Sequence, residues 1–353
     1  MQAIITGTGS VIPSKRVPNS AFLAHDFLDK NGEAVNKPSS AIVQKLEQIS
    51  GIRERKYIGD HRDTAGLGAV ACNRAISDAG LVNSDIDGLL VAHNFGNIKP
   101  GMAQGHLVPN LAAVIKKHVQ LSNPKCFALD VLFGCPGWVE AMIMADHYIK
   151  SGRCKNLLVL GVEVISRILD PKDMNSMLFG DGAGAVVLSA VDQKDSGIIA
   201  YNTYSHCQEE TDYIFMGESS QSTSSCFLSP KMAGPKVFKY GLTHIPELIK
   251  ECLSENSLEL NQINKFLFHQ ANEKMIMAIA KKLFDEKLDV DHIRTKVPFM
   301  VQEIGNSSVA TIPTMLDFIL RGKLAPHEIK ANDTVMMCSV GAGMHCNCLL
   351  YKA

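Results

Sequence analysis

Aromatic residues make up only 6% of the 353 residues, with a single tryptophan, and no cluster of lysine or arginine is interleaved with them. The stacking platforms and basic stripe of a nucleic-acid surface are therefore missing. Charge of either sign is not in excess: 35 basic residues face 36 acidic ones, which argues against a broad polyanion-binding face. No apolar run approaches the length a bilayer requires. Met1-Gln2-Ala3-Ile4 leads directly into an apolar strand, without the basic segment and apolar core of an export signal. The ten cysteines have neither zinc-site spacing nor the density of a disulfide scaffold, and Cys346-Asn347-Cys348 lies in an alternating strand pattern. These absences predict a cytoplasmic protein with reduced thiols, no metal, no membrane contact and no nucleic-acid partner. The length corresponds to two or three domain-sized units with ample core.

What is present centres on Cys126 to Met142. The spacing predicts a buried strand that ends in the turn Gly134-Cys135-Pro136-Gly137, followed by a helix through Tyr148 and Ile149. Cys135 is thus expected at a helix N-terminus, where unpaired N–H groups and the dipole favour thiolate. Pro136 suits that position because its missing N–H costs nothing there. Alone, a cysteine here could equally be a small core residue.

Other elements follow from similar patterns. Ala3 to Gly9, Ile86 to His93, Leu157 to Val164, Ala185 to Leu188 and Thr334 to Cys338 read as strands. Ser40 to Ser50, Asp63 to Ala79 and Leu111 to Val119 read as helices. The chain also repeats itself. Leu81 to Asn94 and Leu258 to Asn272 both lead from a helix end into a strand and loop, 177 residues apart, and Gly134-Cys135 and Gly305-Asn306 both open helices, 171 residues apart. Two units in one order at nearly one offset predict two α/β halves, 1–190 and 191–353, with two buried sheets sandwiching helices. The ends of equivalent strands then converge, bringing Cys135, His269 and Asn306 together. A nucleophilic thiol, an imidazole and a carboxamide suit acyl chemistry, the last two holding a developing oxyanion. Taken singly, His269 could be a satisfied strand-end histidine and Asn306 a helix cap.

These residues carry a family resemblance. Gly51-Ile52-Arg53-Glu54-Arg55, the Cys135 turn, Phe179-Gly180-Asp181-Gly182-Ala183-Gly184, Met232-Ala233-Gly234, His269-Gln270-Ala271-Asn272, Gly305-Asn306-Ser307-Ser308 and Gly341-Ala342-Gly343 occur in an order that resembles the thiolase-superfamily condensing enzymes. The resemblance is nearest to 3-oxoacyl-acyl-carrier-protein synthase III. It implies a five-layered αβαβα sandwich, a homodimer and a ping-pong decarboxylative Claisen condensation without a cofactor beyond the phosphopantetheine arm of the substrates. Cys135 would take the acyl group, and His269 with Asn306 would stabilise the enolate formed from malonyl-acyl carrier protein. The backbone N–H groups of Cys135 and Ala342 would form the oxyanion hole. Ala342 stands where the family has glycine, which would restrict the backbone if φ is positive. Lys239, Lys274, Lys281 and Lys282 match carrier-docking positions, although lysines so spaced also suit a solvated helix face.

Two departures qualify the resemblance. The tryptophan and arginine that clamp coenzyme A adenine fall near Lys45 and on Met174 here, so weaker coenzyme A binding and a carrier-borne or unusual primer are expected. Phe133, Trp138 and a long loop from Asn94 to Asn110 resemble the branch that joins two acyl chains in dialkylresorcinol or pyrone formation. That branch, and a non-catalytic subunit of a heterodimer, stand as alternatives to fatty-acid initiation. Residues Leu107 to Asn110 are expected to shape a partner's pocket.

Overall fold

The computed structural model of the chain describes residues 1–29, 32–193, 196–219, 228–284 and 289–353. The earlier strands are β1 (Gln2–Val11), β2 (Lys15–Pro18), β3 (Glu54–Tyr57), β4 (Gly88–Ala92), β5 (Phe127–Val131), β6 (Asn156–Glu163) and β7 (Gly182–Val191), with helices α1 (Ser39–Ser50), α2 (Thr64–Asp78), α3 (Leu111–Val119) and α4 (Gly137–Lys150). Then follow β8 (Gly197–Ser205), β9 (Ile214–Glu218), β10 (Leu228–Met232), β11 (Lys265–Phe268), β12 (Thr334–Gly341) and β13 (His345–Lys352). The helices among these are α5 (Gly234–Glu255), α6 (Glu273–Phe284), α7 (Val290–Lys296), α8 (Val301–Ile304) and α9 (Thr311–Leu320).

Two sheets dominate, ordered β1-β7-β6-β4-β5 and β11-β12-β13-β8. In the first, β4 and β6 are parallel and β7 and β1 continue antiparallel; in the second, β11 and β12 are parallel and β13 and β8 continue antiparallel. The same order of pairings in each sheet is the spatial form of the sequence repeat. α4 and α9 lie between the sheets: Trp138, Met142, Met315 and Leu316 share one core with Val159 and Val186 from one sheet and Leu267 and Met337 from the other. A helix walled on both sides has little solvent face to keep polar, which is why α4 is mostly apolar, with its exposed His147 and Lys150 in the last turn. The other face of the first sheet packs on α2 and α3, and that of the second on α5 and α6. The result is the expected five-layered αβαβα sandwich.

Local chemistry sets the element ends. Asp63 caps α2 by accepting from the Gly66 N–H at 2.8 Å. Trp138 is buried, and its indole N–H reaches Val159 O at 3.4 Å, so the only tryptophan is a core residue. One expectation needs correction. The strand before Cys135 is not fully buried: β5 forms the edge of its sheet, and Leu129 is exposed. A short apolar run has the same pattern at an edge as at a sheet centre, because position in the sheet is a tertiary property.

Candidate active site

Cys135 ends the turn after β5, one residue ahead of Pro136, the cap of α4. Gly134 has φ +62°, and a Cβ there would stand 2.7 Å from the N and O of Ala342. Glycine is therefore what lets the Cys135 turn and the 341–343 loop touch. Ala342 is not among the positive-φ residues; Gly343, at φ +78°, takes the left-handed conformation. The restriction expected from alanine in this loop does not arise.

His269 follows β11 and is buried. Its N–H donates to Cys338 O at 2.8 Å, and its Nδ1 pairs with Thr311 Oγ1 at 2.7 Å. Asn306 is buried in the turn before α9. Its Oδ1 accepts from the Ser308 N–H at 2.8 Å, so it does act as a turn cap. Its Nδ2 has no hydrogen-bond partner among the described residues, and Asn306 lines the same cavity as Cys135 and His269. That cavity holds about 260 Å³ and is walled mainly by Phe95, Ile165, Phe179, Phe215, Met216 and Met232.

Residues 306–311 tie the three side chains together. Ser308 Oγ donates to Cys135 Sγ at 3.3 Å, Ser308 O accepts from Thr311 Oγ1 at 3.0 Å, and Thr311 Oγ1 meets His269 Nδ1. The Gly-Asp-Gly-Ala-Gly run explains itself here. Gly180 N–H donates to Asn306 O at 3.0 Å, while the Asp181 carboxylate fixes Ile58 N–H at 2.8 Å and Ser166 Oγ at 2.6 Å. Buried Arg55 packs under Gly305 and donates to Met177 O at 2.7 Å and to Asn19 Oδ1 at 2.6 Å.

The electrostatics depart from expectation at Cys135. Burial pushes its thiol up to about 11, and the Ser308 hydroxyl only partly offsets this. Desolvation of the resting thiol outweighs the position near a helix start. Burial also holds the His269 imidazole neutral, lowering it to about 3.

Three residues not singled out by the sequence adjoin Cys135. Asn94 Nδ2 donates to Glu163 Oε2 at 2.6 Å and to Ser308 Oγ at 2.9 Å. Burial pushes the Glu163 carboxyl up to about 8 against the pull of its Asn94 hydrogen bond. The available signals were a carboxylate inside an otherwise apolar strand and two serines after Asn306.

Lys239 on α5 and Lys274 and Lys282 on α6 are exposed, Lys281 is half-buried, and none of the four joins an ion pair among the described residues. Val237 and Met275 of the same helices line the cavity. Met174 packs instead into a small core with Phe22 and Phe27, and Lys45 is exposed. A larger open cleft of about 920 Å³ lies elsewhere; there Arg321 is paired with Asp317 at 2.7 Å and with Asp78 at 3.3 Å.

Comparison with known proteins agrees with this architecture. The family model for 3-oxoacyl-[acyl-carrier-protein] synthase III matches residues 129–207, and that for its C-terminal part matches 253–353. A beta-ketoacyl-[acyl-carrier-protein] synthase III of Brucella anthropi is 33% identical over 100% of this chain and 99% of its own. One from Vibrio vulnificus is 32% identical over 97% of each chain. The crystal structure of 3-oxoacyl-[acyl-carrier-protein] synthase III from Aquifex aeolicus superposes with a TM-score of 0.79 at 26% identity, over 99% of this chain and 100% of that one. The chain belongs to the 3-oxoacyl-acyl-carrier-protein synthase III family of condensing enzymes.

Proposed function

We propose that Cys135, His269 and Asn306 carry out the family's decarboxylative condensation between a Cys-bound acyl group and malonyl-acyl carrier protein, in fatty acid biosynthesis. The observation that supports these roles best is the hydrogen-bonded run from Cys135 Sγ through Ser308 and Thr311 to His269 Nδ1, with all three groups lining one apolar cavity.

In the first half-reaction Cys135 Sγ attacks the acyl carbonyl, the backbone N–H groups of Cys135 and Ala342 receive the oxyanion, and the donor thiol leaves. Both acyl groups arrive on phosphopantetheine thioesters, so the carbon chemistry needs no further cofactor. In the second, the malonyl thioester oxygen faces His269 Nε2 and Asn306 Nδ2. Thr311 has one hydroxyl proton and two acceptors, Ser308 O and His269 Nδ1; when it turns from Ser308 O to His269 Nδ1, the imidazole hydrogen sits on Nε2, where a neutral donor can hold the enolate as carbon dioxide departs. The apolar wall favours loss of the charged carboxylate and excludes water. The carbanion then attacks the Cys135 thioester, the C–S bond breaks, and the departing Cys135 thiolate takes a proton from solvent.

Lys239, Lys274, Lys281 and Lys282 on α5 and α6, none in an ion pair among the described residues, supply a basic rim on which an acidic carrier protein would dock. β5 offers an open sheet edge beside exposed Leu107, Val108 and Leu132, which supports a homodimer formed across that edge. The chain divides into halves 1–190 and 191–353 and works in the cytoplasm.

His269→Ala and Asn306→Ala test the division of labour. Each is expected to leave acylation of Cys135 measurable by intact mass and to slow condensation with malonyl-acyl carrier protein by roughly 10²- to 10³-fold. Loss of acylation with condensation chemistry otherwise intact would assign these residues to the wrong half-reaction.

A further inference from the structure

We infer that Ser308 is a further catalytic residue, whose hydroxyl donates to the Cys135 sulfur and steadies its negative charge in both half-reactions, and that Asn94 is the positioning residue that keeps the hydroxyl proton on sulfur. The inference rests on the proposed role of Cys135 as acyl acceptor.

A run of hydrogen bonds carries it. Ser308 Oγ donates to Cys135 Sγ at 3.3 Å and accepts from Asn94 Nδ2 at 2.9 Å. The same nitrogen donates to Glu163 Oε2 at 2.6 Å, so both amide protons are committed and Asn94 offers the hydroxyl no acceptor. Turning the amide over would set Asn94 Oδ1 against an accepting Glu163 oxygen and draw the hydroxyl proton away from sulfur. Ser308 is buried, so little water competes for that proton. Its backbone, at φ +52°, lies in the left-handed region that residues other than glycine, asparagine and aspartate rarely adopt. Asn306 Oδ1 holds it there by accepting the Ser308 N–H at 2.8 Å. A strained turn, two neighbouring carboxamides and one remaining hydroxyl proton thus converge on a single sulfur.

The hydroxyl keeps its own proton throughout. In acylation the Cys135 proton passes to solvent, the thiolate accepts from the Ser308 O–H and forms the new C–S bond, and the donor sulfur leaves and takes a proton from solvent. In condensation the carbanion adds to the thioester carbonyl, the Cys135 C–S bond breaks, and the sulfur departs as thiolate. A thioester sulfur is a weak acceptor and a thiolate a strong one. The Ser308 bond therefore tightens as charge builds on sulfur, which stabilises the transition state more than the ground state.

The charges around the sulfur leave this task to Ser308. Burial pushes the Cys135 thiol up to about 11, the Ser308 hydrogen bond pulls it down, and Glu163 pushes it up. His269, in the same cavity, is neutral and supplies no positive charge.

The test is the rate of Cys135 alkylation by iodoacetamide between pH 7 and pH 9, read by peptide mass in the whole protein, with exposed Cys207 as the internal control. It needs no acyl donor, so it stands apart from the assignment of the acyl acceptor, which fails separately if acyl label appears on another residue. The wild-type rate rises with pH across this range because the thiolate is the reactive form. Ser308→Ala and Asn94→Ala are each expected to displace that line toward higher pH by roughly one unit, which is about tenfold slower alkylation at a given pH. The double variant is expected to match Ser308→Ala, since Asn94 acts through the hydroxyl, and Cys207 to react alike in all four proteins. An unchanged line in either single variant, additive displacement in the double variant, or equal slowing at Cys207 overturns the proposal. If Ser308→Ala does not fold, Asn94→Ala decides, an unchanged line again overturning it.

Discussion

At the scale of single residues, the site is governed by desolvation. A thiol, an imidazole and a carboxyl share one low-dielectric region, and each is driven toward its neutral form. This has a consequence for stability. Glu163 has a folded pKa of about 8 against an ordinary value of 4.5, so the folded state binds its proton more tightly. That contribution is fully present below about pH 4.5 and is lost as pH rises through 8. Wild type is therefore expected to lose more stability than Glu163→Gln between pH 6 and pH 9, as urea midpoints would show. Equal losses would mean the carboxyl is solvated. Cys135, His269 and Asn306 were legible in the sequence because each ends an apolar run in a turn. Asn94, Glu163 and Ser308 were not, because what makes them matter is contact between segments 69 and 214 residues apart.

At the scale of elements, short turns do most of the positioning. Gly305 has φ +73°, and a Cβ on it would meet Arg55 Cβ at 2.7 Å. Gly305→Ala combines backbone strain with a clash against the Cβ of buried Arg55, and a cost of about 2 kcal/mol or more is expected. A thermal scan should show the loss as a midpoint several degrees lower, together with slower condensation because Asn306 moves with its turn. A midpoint equal to wild type would show that Arg55 gives way. Periodicity revealed α3 at its observed bounds, Leu111–Val119, and α2 to within a residue at each end. It missed the antiparallel pair β9 and β10 that walls the cavity with Phe215, Met216 and Met232, since five-residue strands with mixed polarity carry little periodic signal. Its reading of β5 as buried failed for a related reason: only the sheet order makes that strand an edge.

At the scale of the molecule, repetition explains why a single cavity can draw on distant residues. α4 and α9 lie back to back between the sheets, so the turns that begin them open on the same space, one bearing Cys135 and the other Asn306. The order of motifs revealed this plan; the open edge of β5 required coordinates. Val108 is 89% exposed and Leu132 57%, a large apolar area to leave in water beside an unpaired strand. On the proposed homodimer across this edge, the wild type sediments as a dimer in analytical ultracentrifugation and the double variant Val108→Asp, Leu132→Asp as a monomer. A variant that still sediments as a dimer would place the interface elsewhere, and a monomeric wild type would overturn the proposed homodimer.

The proposed condensation begins with a covalent bond at one sulfur. The most direct measurement is intact and peptide mass spectrometry after incubation with a panel of acyl thioesters, followed by addition of malonyl-acyl carrier protein. An acyl adduct is expected on the peptide containing Cys135, discharged when malonyl carrier is added and absent in a folded Cys135→Ala protein. An adduct on another residue, or condensation surviving in Cys135→Ala, would contradict it.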